Sequence, residues 1–280
     1  MQPERFAAET GAKRIASRSN PRVAALSKLA EAKGRREAGL FLAEGIKLTR
    51  EALASDADVR EILVSDFAAE RSPDALDLAL EARKRGIPAL LLSDPAFEKI
   101  STEKSPQGVI AAVRIPDAEG GDFSAWQSGR RLFMLDEVRD PGNLGTILRS
   151  AEALGVGGVI LSRCADPWQP KAVRAAMGTL FRLPLWITED GAGCASALRA
   201  SGRRVLAAAL GGDELTLGRF EPEESDCPVI GNEGHGLPRE ILDSASACLR
   251  IPMAEGPESL NASAAAACIL WEYYRALGKN

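Results

Sequence analysis

Three polar segments of the chain carry residue types whose chemistry and spacing suggest a reactive site. They are Leu135–Arg149, Ile230–Gly236 and Arg250–Ser263. Each segment follows or includes the end of a short apolar run, which predicts a buried strand. In open α/β sheets ligands bind beyond the carboxyl ends of the strands. We therefore expect the three segments to come together in one site.

The first segment combines an amide and a cation at the start of a predicted helix. Asn143 is expected to cap that helix while facing the cleft, and Arg149 follows within about two turns. A guanidinium in this position can bind a carboxylate or a phosphate through two parallel hydrogen bonds. The alternative is that Asn143 is only a cap and Arg149 only a surface charge, and the segment taken alone leaves both open.

The second segment is a glycine-rich loop with one carboxylate. Glycines at 231, 234 and 236 permit positive φ and close backbone approach to a ligand. The spacing is neither GxGxxG nor a Walker loop, which argues against an NAD-binding or P-loop enzyme. Glu233 is expected to accept hydrogen bonds from Arg149 or from a substrate. His235, the single histidine, is either a base or an exposed loop residue.

The third segment joins a strand to the last helix through small polar residues. Ile251 ends the apolar run, and Ser259, Asn261 and Ser263 offer hydroxyl and amide groups where a helix start leaves backbone N–H groups free. Ser259 could instead simply cap the helix predicted at Leu260–Leu277. The absence of GxSxG and the single histidine argue against a serine hydrolase triad.

The positions of apolar runs and turn residues predict two α/β domains. We expect a smaller N-terminal domain at 1–116, a Gly/Asp/Ser-rich linker at 117–129 and a C-terminal domain at 130–280 with a buried parallel sheet. Residues 1–14 are expected to be loosely attached, and Ser19-Asn20-Pro21 is typical of a helix start. The strands predicted for the C-terminal domain are Leu132–Leu135, Gly158–Leu161, Leu183–Ile187, Val205–Leu210, Pro228–Ile230 and Cys248–Ile251.

Composition and charge restrict the partners. The 280 residues are 45% hydrophobic and 26% charged, as in ordinary globular proteins, and the apolar runs are too short for a membrane span, so we expect a cytoplasmic protein without a membrane partner. The net charge is −4, yet residues 1–50 hold 11 Lys/Arg against 5 Asp/Glu. This basic segment is typical of phosphate contact, although a solvated helix face would look the same. Five scattered cysteines and one histidine predict neither a disulfide framework nor a metal site.

The three segments together resemble the SpoU/TrmH family of RNA ribose methyltransferases. The resemblance rests on Asn143, Gly145 and Arg149, then Gly231, Glu233 and Gly236, then Ile251 to Ser263, in the order of the family's motifs. It covers about residues 130–277. The region from 14 to 115 is similar to an L30e/L7Ae-type RNA-binding domain, on Ser19-Asn20-Pro21, Phe41 to Glu44-Gly45, and Gln107-Gly108-Val109.

The resemblance implies a trefoil knot, a homodimer and S-adenosylmethionine as cofactor. It assigns cofactor contacts and catalytic positions to separate sets of residues. The cofactor contacts are Leu210, Gly231, Ile251 and Leu260. The catalytic positions are Asn143, Arg149, Glu233, Ser259 and Asn261. Two residues depart from the family's usual pattern, Ala262 in place of Val and Ala176 in place of Ser, and the second bears on RNA contacts.

The implied reaction is 2′-O-methylation of structured RNA, 23S rRNA rather than tRNA. Arg149, oriented by Glu233, is expected to act on the 2′-hydroxyl through a relay, or to orient it electrostatically, since an arginine is a poor base at its normal pKa. Trp126 and Trp168 are candidates for base stacking, with core packing as the alternative. A tRNA methyltransferase and a non-catalytic RNA-binding protein of the same fold remain open, and the target nucleotide is not given by the sequence.

Overall fold

The computed structural model describes residues 2–116, 123–209, 214–254 and 259–278. They form two compact units. The first unit contains Met1–Pro116 and Trp168–Arg182, and the second contains Asp117–Pro167 and Leu183–Asn280. The segment Trp168–Arg182 therefore clusters with the first unit, whereas its position in the sequence places it in the second predicted domain.

The first unit is a mixed sheet covered by helices. Its strand order is β1-β4-β3-β5-β2, with β1, β4 and β3 parallel and β5 antiparallel to both β3 and β2. The strands are β1 (Lys13–Ile15), β2 (Leu40–Glu44), β3 (Val59–Ser65), β4 (Ala89–Leu92) and β5 (Val109–Arg114). The helices are α1 (Pro3–Thr10), α2 (Pro21–Ser27), α3 (Ala32–Ala38), α4 (Ile46–Ala54), α5 (Asp66–Arg71), α6 (Pro73–Lys84), α7 (Asp94–Glu98) and α9 (Pro170–Ala176).

The N-terminal residues are part of this unit, so the expectation of a loosely attached 1–14 was wrong. Helix α1 buries Phe6 completely, and β1 pairs with β4 at the edge of the sheet with Ile15 buried. The sequence predicts this packing only weakly, because Phe6 and Ile15 are the two large apolar side chains that the segment buries. The predicted start of α2 is confirmed, since the Asn20 side chain accepts from the backbone N–H of Arg22 and Pro21 is the first helical residue.

The basic segment is partly neutralised within the fold. Arg14 pairs with Glu4 and Asp66, and Arg22 pairs with the buried Glu61. The buried Arg35 donates to two backbone carbonyls, at Leu29 and Ala30. Between residues 13 and 36, the exposed cations with no carboxylate partner among the described residues are Lys13, Arg18, Lys28 and Arg36, whereas Lys33 lies 3.9 Å from Glu37.

The second unit is a seven-stranded sheet in which every neighbouring pair among the described strands is parallel, as predicted. Its order is β10-β12-β9-β11-β6-β7-β8. The strands are β6 (Leu132–Asp136), β7 (Gly158–Ser162), β8 (Leu185–Thr188), β9 (Val205–Ala207), β10 (Glu214–Thr216), β11 (Cys227–Ile230) and β12 (Ala247–Arg250). The helices are α8 (Pro141–Ala153), α10 (Gly191–Ala200), α11 (Arg239–Ser244) and α12 (Ala262–Leu277).

Completely buried apolar side chains make the core of this sheet. Strands β6, β7 and β11 are buried along their whole length, which is the pattern of a parallel strand covered on both faces. Strand β10 was not predicted, because its three residues lie at the sheet edge and are exposed or half-buried. All three polar segments of the sequence lie in this unit, at or after the carboxyl ends of β6, β11 and β12.

No helix in the described parts of the chain is long and apolar enough to cross a membrane. Within those same parts, His, Cys, Asp and Glu side chains form no group of three or more that would suit a metal ion.

Candidate active site

Asn143 is positioned by the capping of α8. The helix begins at Pro141, and its cap is Asp140, whose Oδ1 accepts from the Asn143 backbone N–H at 2.8 Å. The expectation that Asn143 itself is the cap was wrong, because Asp140 takes that role and moves the helix start three residues upstream. The Asn143 side chain is thereby released for tertiary contacts, and its Nδ2 donates to Glu233 Oε1 at 2.8 Å.

Asn261 joins the same cluster from the start of α12. It is the N-cap of that helix, with Oδ1 accepting from Ser263 N at 2.9 Å and from Ser263 Oγ at 2.6 Å. Its Nδ2 donates to Asn143 Oδ1 at 3.2 Å. Asn261, and not Ser259, therefore caps the last helix. The contacts form one chain of donors and acceptors from Asn261 through Asn143 to Glu233.

The Gly231–Gly236 loop is folded tightly on itself. Asn232 and Gly236 exchange two backbone hydrogen bonds of 3.1 and 2.9 Å, and Asn232 Oδ1 accepts from Gly234 N at 2.8 Å. A Cβ on Gly231 would lie 2.5 Å from the carbonyl carbon and oxygen of Gly236, so only glycine fits there. This loop holds the Glu233 carboxylate against α8.

A cleft of about 260 Å³ lies beside this cluster. It is lined mainly by backbone and apolar groups from the ends of β9, β11 and β12 and the start of α12. The lining residues include Ala208, Ala209, Ile230, Gly231, Asn232, Glu233, Leu249, Ile251, Met253, Ser259, Leu260, Ala262 and Ala265. Gly231, Ile251, Leu260 and Ser259 thus lie where the sequence predicts a ligand. Leu210, the remaining predicted cofactor contact, lies outside the described residues.

Arg149 stands apart from the cluster. It is exposed on α8 and makes no side-chain hydrogen bond or ion pair with the residues that the structure describes. Arg149 lies six positions after Asn143, so the two side chains leave the helix in directions about 120° apart. The structure brings Glu233 to Asn143, so the predicted contact between Arg149 and Glu233 is not made within this chain.

Residues that sequence reasoning did not single out also shape the loop. Asn232 Nδ2 donates to the Glu137 carbonyl at 2.9 Å, and His235 Nε2 lies 3.3 Å from Glu137 Oε2. An Asn between two glycine positions is a signal for a side-chain-stabilised turn and could have indicated Asn232. Glu137 gave no such signal, because its role depends on a partner almost a hundred residues away.

The two candidate stacking residues are packing residues in this structure. Trp126 lies edge-on to Trp186 at 5.9 Å between ring centroids and beneath the Arg130 guanidinium. Trp168 is buried and packs on Phe41 with ring centroids 5.0 Å apart.

Comparison with known proteins identifies the class to which this fold and this cluster of residues belong. Residues 130–271 match the model of the SpoU rRNA Methylase family, and residues 20–111 match the MRM3-like substrate binding domain. The chain belongs to the SpoU rRNA methylase family. A substrate-binding domain therefore precedes the methylase region, while the L30e-type assignment of that domain stays a prediction.

Individual relatives span nearly the whole chain. The 23S rRNA (guanosine(2553)-2'-O)-methyltransferase RlmP of Bacillus subtilis (strain 168) is 32% identical, over 92% of this chain and 98% of its own. A 23S rRNA (uridine(2479)-2'-O)-methyltransferase of Streptomyces viridochromogenes is 32% identical over 86% and 84%. The AdoMet-bound rRNA methyltransferase from Sinorhizobium meliloti has a TM-score of 0.80 at 31% identity, covering 96% of this chain and 99% of that one.

Proposed function

We propose that this protein transfers a methyl group from S-adenosylmethionine to a ribose 2′-hydroxyl of 23S rRNA. The observation that carries the proposal is the hydrogen-bonded chain Asn261–Asn143–Glu233 at the edge of a cleft lined by backbone and apolar groups. Relatives that match along nearly the full chain are named as 23S rRNA 2′-O-methyltransferases, which supports the substrate class.

The residues of the cleft fit the cofactor. Gly231 lines the cleft with backbone atoms alone, and no Cβ fits there because it would lie 2.5 Å from the carbonyl group of Gly236. Leu249, Met253 and Leu260 supply apolar surface suited to a nucleoside ring. The bound cofactor would supply an electrophilic methyl group on a sulfonium sulfur. Gly231, Ile251 and Leu260 are the residues that we assign to holding it, and Leu210 stays a prediction.

The polar cluster supplies what the acceptor hydroxyl needs. Methyl transfer to a neutral hydroxyl would produce a positively charged oxygen, so the 2′-hydroxyl must lose its proton as it attacks. Glu233 Oε1 accepts from Asn143, and its second oxygen has no hydrogen-bond partner among the described residues. We infer that this oxygen accepts a hydrogen bond from the 2′-hydroxyl. Asn143 and Asn261 orient it, and Ser259, at the cleft, contacts the nucleotide.

Arg149 is proposed to act on RNA rather than on Glu233. Its guanidinium is exposed and has no carboxylate partner in the described part of the chain. A fork of N–H donors in that position suits an RNA phosphate beside the reacting ribose. Arg149 then orients the hydroxyl and stabilises charge. Of the two roles considered from the sequence, a proton relay and electrostatic orientation, this is the second.

The homodimer, the trefoil knot and the cytoplasmic location are also proposals. Helix α12 exposes Trp271 and Tyr274, at 55% and 37%, with ring centroids 6.0 Å apart. Large exposed aromatic side chains are typical of protein interfaces, which supports a dimer that covers this helix. Sedimentation analysis of the wild type and of Trp271→Ala would test it. The proposed ribosomal substrate supports a cytoplasmic enzyme.

The N-terminal residues 1–116 are proposed to bind the RNA. The match of residues 20–111 to a substrate binding domain and the exposed cations Arg18, Lys28 and Arg36 support this role. Since phosphate contacts make RNA binding salt-dependent, neutralising these three residues together should weaken binding and flatten its salt dependence. The division at 117–129, with catalysis in 130–280, stays a prediction.

Mapping of 2′-O-methyl groups in total RNA from cells with and without the gene tests the function. One ribose methyl group in 23S rRNA should disappear on deletion and return with the wild-type gene. Loss of a tRNA methyl group instead would favour a tRNA methyltransferase. Calorimetry together with a methyl-transfer assay tests the non-catalytic alternative, because a protein that only binds RNA would bind no S-adenosylmethionine or would bind it without transferring methyl groups.

A further inference from the structure

The Gly231–Gly236 loop is fastened to the end of β6 by Glu137, to which the chemistry above gives no role. The Glu137 carbonyl accepts from Asn232 Nδ2 at 2.9 Å, and its carboxylate Oε2 lies 3.3 Å from His235 Nε2. One residue thus holds two members of the loop, through its backbone and through its side chain. Asn232 lines the cleft, whereas Glu137 does not.

Glu137 has a backbone conformation that suits glycine better. Its φ is +56°, in the left-handed region, where a Cβ is disfavoured. Among the residues that the structure describes, only Glu137, Arg163 and Met177 combine positive φ with a side chain. Such strain beside a cleft is evidence that the side chain itself is needed there.

The Glu137 carboxylate is itself held in place by two arginines. Arg163, at the corresponding end of the neighbouring strand β7, lies 3.6 Å from Oε1 and donates two 2.9 Å hydrogen bonds to the completely buried Asp136. Arg139 lies 3.1 Å from Oε2. The hydrogen bond from Arg139, and then that from His235, holds the pKa of Glu137 below its ordinary value, so the side chain is charged at neutral pH.

We propose that Glu137 is a positioning residue that sets the Gly231–Gly236 loop in the form required to bind S-adenosylmethionine. It acts through His235 and Asn232, without touching the cofactor. The ligand in this inference rests on the proposed function. The contacts of Glu137 with the loop do not depend on that function, and their effect on the loop can be measured in the protein without any ligand.

The decisive variant is Glu137→Gly. Glycine keeps the carbonyl that accepts from Asn232 and relieves the left-handed strain, so the variant removes only the contacts of the carboxylate, which are those with His235, Arg139 and Arg163. The thermal midpoint should stay equal or rise. The Kd for S-adenosylmethionine, measured by calorimetry, should rise about tenfold, the usual effect of losing one charge-assisted hydrogen bond. Hydrogen exchange at the Gly234 and Gly236 amides should become faster in the ligand-free protein.

Four further variants distinguish a positioning role of Glu137 from a general effect of removing a negative charge. Glu137→Gln can still hydrogen-bond to His235 and should restore most of the affinity. His235→Ala should reproduce the effect of Glu137→Gly, and the double variant should be no weaker than either single one. Glu224 precedes β11, at the end of the sheet away from the cleft, and pairs with Arg131. Glu224→Gln removes the charge of this ion pair and should leave the affinity unchanged.

A loss of affinity without a loss of stability is the result expected of a positioning residue. A fall of the thermal midpoint together with affinity would overturn the proposal, because Glu137 would then only support the fold. Wild-type affinity with unchanged loop exchange would overturn it as well. If the wild type binds no S-adenosylmethionine, the proposed function fails, and exchange of the loop amides in Glu137→Gly and His235→Ala still decides whether Glu137 positions the loop.

Discussion

Asn143 donates a 2.8 Å hydrogen bond to Glu233 across 90 residues of sequence, and this contact joins the start of α8 to the glycine-rich loop. Asn143 is able to make it because Asp140 takes over the capping of the helix. Both ends of its amide are then engaged, since Nδ2 donates to Glu233 while Oδ1 accepts from Asn261. The pair fixes the only carboxylate of the loop at the edge of the cleft.

Asn143→Ala should lower methyl transfer to rRNA by about 10²-fold, because Glu233 and Asn261 lose their common partner and the reacting groups lose their alignment. Transfer of labelled methyl groups from S-adenosylmethionine measures the rate. Thr146→Ala is the matched control, since Thr146 is exposed one turn further along the helix and donates only to the Gly142 carbonyl. Equal rates for the two variants would contradict the role given to Asn143.

Arg149→Ala should lower turnover by about 10²-fold while the Kd for S-adenosylmethionine and the thermal midpoint stay unchanged, because the side chain is exposed and is assigned to RNA. Arg149→Lys keeps the charge without the planar fork and should recover only part of the rate. Arg239→Ala removes an arginine whose side chain is 87% exposed and should leave turnover at the wild-type level. Full methylation by Arg149→Ala would remove Arg149 from the mechanism.

Gly231→Ala should abolish cofactor binding, because the new Cβ would lie 2.5 Å from the backbone of Gly236 and force the loop open. Gly234→Ala is a matched control in the same loop. Its Cβ would meet no described atom closer than Asn232 Oδ1, at 3.4 Å, so binding should survive. Calorimetry of both variants checks the prediction, and intact binding by Gly231→Ala would show that the loop does not need its observed form.

Thiol labelling at pH 8 should modify Cys268 first. It is the exposed cysteine on α12, whereas burial raises the pKa of both Cys164 and Cys227 to about 12. Because the thiolate is the reactive form, a raised pKa keeps these two thiols protonated and unreactive at any pH well below that value. Mass spectrometry of labelled peptides identifies the sites, and Cys268→Ser should remove the fast phase. Early labelling of the half-buried Cys164 or of the completely buried Cys227 in the folded protein would contradict this prediction.

Phe6→Ala should destabilise the protein by about 3–5 kcal/mol, the usual range for emptying a buried aromatic site. Chemical denaturation measures the free energy of unfolding. Phe67→Ala, at a phenylalanine that is 47% exposed, is the control and should cost far less. A small effect of Phe6→Ala would mean that the N-terminal helix contributes little to the first unit.

Several residues of the cluster could be predicted from residue types, whereas the hydrogen bonds between them could not. Asn143, Glu233 and Asn261 were each identified from their motifs. Which of them meet depends on where two helices begin, and each true cap lies two or three residues from the expected one. The predicted partnership of Arg149 and Glu233 was drawn from charge alone, and the direction of a side chain around a helix decided against it.

In the first unit, the sequence does not show which basic residues are free to bind RNA, for a similar reason. The ion pairs Arg22–Glu61 and Arg14–Asp66 join residues far apart in sequence, so a run of basic residues looked more available to RNA than it is. The strands of the second sheet are easier to predict, since continuous apolar runs indicate buried parallel strands without knowledge of their partners.

The strand order of the second sheet has a consequence for the making of the protein. Strand β11, almost a hundred residues after β6, lies directly beside it, and part of the cleft wall comes from residues as late as Leu260 and Ala265. A growing chain therefore lacks both the loop and this wall of the cleft until Ala265 has been added. Because pairings between residues so far apart in sequence form slowly, the cleft is among the last parts of this unit to be completed.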